Sequence, residues 1–112
     1  MPQLASIAVQ TLFLLACAGQ QGDPREEFLT RAERRIRLPP AAKPLEAYSR
    51  SYFPIEGGTK IMGIFSLLKP AGRHWVAQNP GPFIADGGCT IITVVIDVPT
   101  GLIEKTECNG VG

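Results

Sequence analysis

The sequence predicts an α+β fold, one helix laid on a small antiparallel sheet, and three observations carry that expectation. Phe28, Leu29, Ala32 and Ile36 recur at helical spacing behind a capping sequence. From Lys60 onward the apolar pattern changes to short β-rich runs separated by Gly and Pro. Two cysteines, Cys89 and Cys108, flank the last of these hairpins, where a covalent staple would help so small a domain.

The first element is a targeting segment. Residues 4–18, LASIAVQTLFLLACA, are apolar apart from Ser6, Gln10 and Thr11. That run is shorter than the roughly 20 apolar residues of a spanning helix and fits the core of a signal peptide over residues 1–18. Two cleavage readings compete. Ala16-Cys17-Ala18 is a small-x-small site that would release a soluble protein. Leu14-Leu15-Ala16-Cys17 resembles a bacterial lipobox, with Cys17 as the lipidated residue, although Leu15 is unusual at its position. Residues 19–23 then form a tether of small and polar residues. Parity favours the lipid: of three cysteines, Cys89 and Cys108 pair and Cys17 is left over. With no Asp after Cys17, a lipoprotein would be sorted to the outer membrane; otherwise the protein is periplasmic or secreted.

The single domain is expected over residues 24–112. Asp23-Pro24-Arg25-Glu26 is a helix start, with Asp23 as cap and Pro24 in the first turn. Glu26 and Glu27 near the start and Arg34, Arg35 and Arg37 near the end complement the helix dipole. Pro39-Pro40 stops the helix, giving the range 24–37. After a stiff linker at 39–44, Pro44 opens a short helical turn through Tyr48, with Leu45, Tyr48 and Tyr52 on one side, and Pro54 ends it. Ile61 to Leu68 reads as a strand, Lys69-Pro70-Ala71-Gly72 as a turn and His74 to Gln78 as the returning strand. Cys89 to Val98 is mostly apolar on both faces, which argues for a central strand covered on at least one side. Val98-Pro99-Thr100-Gly101 turns the chain back through Leu102 to Cys108. The expected sheet therefore has four strands in two hairpins, with the helix on one face. Strict pairing from the Pro99-Thr100 turn misses a Cys89–Cys108 match by about two or three residues, so the hairpin needs a bulge.

Composition narrows the roles. The 112 residues are 45% hydrophobic and 19% charged, a globular balance, and a net charge of +1 gives no field that would steer the chain to nucleic acid. The sequence offers no catalytic set, metal site or cofactor motif. His74 is the one histidine, and a thiol or hydrolase reading would have to recruit Cys89 and Asp86 or Asp97 to it. Asp86-Gly87-Gly88 reads as a turn and lacks the Lys and Ser/Thr of a phosphate loop. Arg31, Arg34, Arg35 and Arg37 suit a solvated helix face, and near an anchor they would meet anionic lipid or wall polymer. Arg73, His74, Trp75, Phe83 and Asp86 make the expected binding surface, for another envelope protein or a cell-wall polymer. A non-enzymatic envelope protein is the leading expectation. The alternatives are a periplasmic enzyme inhibitor presenting the 79–88 loop and, further behind, a small hydrolase or thiol enzyme.

Ala85-Asp86-Gly87-Gly88-Cys89, the Val/Ile run to Asp97 and Cys108-Asn109-Gly110 together resemble a group of small exported bacterial proteins of lipoprotein type. The resemblance covers roughly the last half of the chain and the signal segment. It implies a bacterial envelope location and is consistent with the cysteine pairing; it implies no activity.

Overall fold

The computed structural model describes residues 22–80 and 88–110. The signal segment, Cys17 and the tether to residue 21, together with Phe83 and Asp86, lie outside them. The chain divides into two compact units, Met1–Thr30 and Arg31–Gly112. Helix α1, Pro24–Arg35, runs through the division between them. Its start is capped as its sequence predicts: Asp23 Oδ1 accepts the Arg25 amide at 2.9 Å, which satisfies one of the orphan donors of the first turn. It ends two residues before the expected position, with Arg37 Nη1 donating to the Arg34 carbonyl at 3.1 Å. No helix among the described residues is long and apolar enough to cross a membrane.

The second unit holds a mixed sheet of five strands: β1 Ser49–Ile55, β2 Lys60–Ser66, β3 Gly72–Trp75, β4 Ile91–Asp97 and β5 Ile103–Cys108. Their order across the sheet is β3-β1-β2-β4-β5, with β3 parallel to β1 and every other pair antiparallel. The α+β class and the Cys89–Cys108 disulfide therefore stand, while four strands in two hairpins is corrected. Of the helical turn expected through Tyr48, only Leu45–Ala47 is helical, as one 3-10 turn, and Tyr52, expected on one side of that turn, lies in strand β1. β1 then inserts between the two arms of the expected 61–78 hairpin, so β2 and β3 never touch edge to edge.

Pro54 is compatible with β1 because of where its nitrogen points. The carbonyls of Tyr48 and Tyr52 accept the amides of Gly72 and Val76 at 3.2 and 2.9 Å, so even-numbered backbone groups of β1 face β3. Pro54 falls beyond the last residue of β3, where no ladder bond is required of it.

One face of the sheet carries Tyr48 just ahead of β1, Tyr52 from β1, Phe65 from β2, and Ile92, Val94 and Ile96 from β4, all fully buried. Tyr52 meets Phe65 edge-on with ring centroids 5.9 Å apart, and Tyr48 lies 6.0 Å from the same ring. Gly63 leaves room for this cluster, since a Cβ there would stand 2.8 Å from the Tyr52 ring. On the opposite face Phe53, Ile64 and Ile91 pack together with Ile55, Met62 and Val76.

The last hairpin carries the bulge that the cysteine spacing requires. Its register shifts by one residue between Val95/Ile96, leaving Glu104 without a partner on β4. Ile92 stands opposite Cys108, so a straight strand would put residue 89 beyond its partner. The chain instead folds into a 3-10 turn at Gly88–Thr90, ahead of β4, and brings the Cys89 and Cys108 Cα atoms to 4.6 Å. The strand expected over 89–98 accordingly starts two residues late.

Candidate binding site

Alternation along β1 and β3 divides their side chains between two sites. Arg50 and Arg73, neighbours in the parallel ladder, point to the buried face and converge on Glu33 of α1. Arg50 Nε donates to Glu33 Oε2 at 2.9 Å, Arg73 Nη2 to Oε1 at 2.8 Å, and the Tyr52 hydroxyl to Oε2 at 2.7 Å. Arg50 also donates to the carbonyls of Leu45 and Tyr48 at 3.2 and 3.1 Å. Burial on its own would raise the Glu33 carboxyl; the bonds from Arg73, Tyr52 and Arg50 and the Arg50 charge outweigh it and hold the carboxyl below its ordinary range. The same burial, with the Glu33 charge beside it, drives the Tyr52 phenol far above its ordinary value, so it serves as a donor throughout the accessible pH range. This cluster is a fully partnered structural lock: no buried side-chain polar atom among the described residues lacks a hydrogen bond.

The residues between these turn to the other face. Ser49, Ser51 and His74 open there into a groove of about 560 Å³, walled by Pro70, Trp75, Val76 and Pro80 and flanked by Lys69 from the β2–β3 connection. The side chains of Ser51, Lys69 and His74 have no hydrogen-bond or ionic partner among the described residues. The groove therefore presents a hydroxyl, an imidazole and an ammonium group, with no carboxylate among its described lining residues, beside an edge strand four residues long. Chemically it suits a ligand rich in acceptors, above all a carboxylate.

The residues expected to form a binding surface are thus separated. His74 and Trp75 line the groove, whereas the Arg73 guanidinium reaches through to Glu33. Ser49, Ser51 and Lys69 belong to the groove and escaped the sequence reading. The alternation of Ser49 and Ser51 with Tyr48 and Tyr52 is the signal that could have found the first two. Cys89 is bonded to Cys108 and so offers no free thiol. Nor is His74 near that pair: its strand is one edge of the sheet and Cys108 ends the other, four strand spacings of about 4.8 Å away. Among the described residues no group of three or more His, Cys, Asp or Glu is arranged to hold a metal ion. Neither protein-family models, nor curated proteins, nor solved structures yield a match to this chain.

Proposed function

We propose that this chain is an exported, non-enzymatic binding protein of the bacterial cell envelope, which holds a carboxylate-bearing wall polymer or protein segment in the Ser49–Ser51–His74 groove. The observation that carries the reading is the convergence of Ser51, Lys69 and His74, whose side chains have no partner among the described residues, on one open groove beside a sheet edge. The disulfide supports the location, because such bridges form and persist in oxidising compartments. The leader at 1–18 and acylation of Cys17, tethering the domain to the outer membrane, belong to the same proposal.

Retention of the full-length protein on purified peptidoglycan, and photo-crosslinking in the periplasm from position 71 on the groove wall, test it together. Lys69→Gln with His74→Ala should lower retention or remove the crosslink, while Lys105→Gln on the far edge leaves both intact. Binding that survives the double substitution in a protein with its disulfide intact would move the site elsewhere.

A further inference from the structure

Residues 31–46 carry five cations, Arg31, Arg34, Arg35, Arg37 and Lys43, against two acids, Glu33 and Glu46, in a chain whose total charge is only +1. The imbalance at the surface is larger than that count suggests. Glu33 is largely covered and spent on Arg50 and Arg73, which leaves Glu46 as the exposed acid of the segment. Arg31, Arg34, Arg37 and Lys43 are all exposed. Arg37 and Lys43 flank a shallow groove of about 420 Å³ whose other lining is apolar, including Ile36, Leu38, Pro39 and Leu45.

We propose that this face docks on an anionic phospholipid surface. Cations alone would serve any polyanion, but a soluble polymer would leave the apolar floor between them against water. A bilayer interface meets both at once, phosphates at the guanidinium and ammonium groups and the headgroup–acyl boundary at Leu38 and Pro39. The surface is distinct from the His74 groove and does not depend on what that groove binds. With Cys17 acylated, the patch would supply the second of the two signals that stable anchoring takes.

The test is co-sedimentation of the full-length chain carrying Cys17→Ser with vesicles of phosphatidylglycerol and phosphatidylcholine, or of phosphatidylcholine alone. Arg34→Gln with Lys43→Gln should lower partitioning onto the anionic vesicles by about 25-fold, roughly fivefold for each cation. Raising the salt from about 0.1 to about 1 M should lower that of the parent, as the screening length shrinks from about 10 to about 3 Å. Because the apolar leader is common to both proteins, any partitioning onto phosphatidylcholine should be equal for the two. Equal partitioning of parent and variant on the anionic vesicles would overturn the proposal, and so would an equal loss on both vesicle types. Tighter binding of the parent to soluble polyphosphate than to the anionic vesicles would replace the membrane with a polymer.

Discussion

Replacing Glu33 by glutamine preserves its volume and removes the negative charge from between two guanidinium groups. Glu33 and Arg50 side chains are 10% exposed and that of Arg73 20%, so the cations left behind have little access to water. Losing one partner of a buried ion pair costs about 3–5 kcal/mol. Arg50 keeps its bonds to the Leu45 and Tyr48 carbonyls, and Arg73 is the wetter of the two, which places Glu33→Gln near the lower end, about 3 kcal/mol. A domain of this size has a total stability of about 5–13 kcal/mol. The urea midpoint should therefore fall by about 2–3 M, at a slope slightly above 1 kcal/mol per M. A shift equivalent to less than about 0.5 kcal/mol, the range of ordinary surface substitutions, would refute the account of Glu33 as an obligatory counter-charge.

Acid supplies the second arm of that experiment. The folded state lowers the Glu33 carboxyl below its ordinary value of 4.5, so folding favours the deprotonated form. The resulting stabilisation is fully present above that value and is lost as the pH falls below it, through the lower value of the folded state. Glu33→Gln has no such group, so the gap between parent and variant should narrow in acid below pH 4.5. A gap that stayed constant would mean that packing, and not charge, is what Glu33 contributes.

Cys89→Ser with Cys108→Ser opens a bridge spanning 19 residues of sequence and should cost about 3 kcal/mol by loop closure; a reductant should weaken the parent by the same amount and leave the variant unchanged. Gly63→Ala drives a methyl group to 2.8 Å from the Tyr52 ring and 3.2 Å from that of Phe65, and thermal melts should register a loss of about 1–3 kcal/mol. Arg73→Gln unfastens edge strand β3 from Glu33. By hydrogen exchange the Gly72 and Val76 amides, bonded to the carbonyls of Tyr48 and Tyr52, should open at least about tenfold faster, while that of Val94 in central β4 follows only the global stability.

What was legible in the sequence and what was not follow from how local each signal is. The cap at Asp23, the β4–β5 hairpin and the cysteine pair are written in contiguous residues, and even the need for a bulge could be counted from the turn. β1 was hidden by its own charge. Tyr48, Arg50 and Tyr52 share one buried face, but an arginine between two tyrosines breaks the apolar alternation that marks a strand. Tyr48 and Tyr52 alone also fit helical spacing, and Pro54 reads as a stop. Glu33 was obscured in the complementary way, an acid on the apolar stripe of Leu29, Ala32 and Ile36. Each residue looks misplaced until it is paired with the other, 17 positions away, and no local window contains both.

That pairing also explains how so short an edge strand can carry the proposed binding surface. β3 contributes four residues, and its partner has side chains of both kinds, so backbone bonds alone specify its register weakly. A slip of one residue would turn His74 toward the helix and Arg73 toward solvent. The Arg73–Glu33 bond makes that slip costly, because it would strand a carboxylate that Arg50 and Tyr52 only partly satisfy. The lock on the buried face therefore fixes which residues appear on the open one. Ser51 and His74, directly opposite in the ladder, are held as a pair, so the proposed ligand capture would need little ordering beyond the Lys69 side chain. Because period-two alternation assigns Arg50, Tyr52 and Arg73 to the lock and Ser49, Ser51 and His74 to the groove, changes at His74 and Ser51 should alter the proposed binding while the fold stays intact. Changes at Arg73 must affect both.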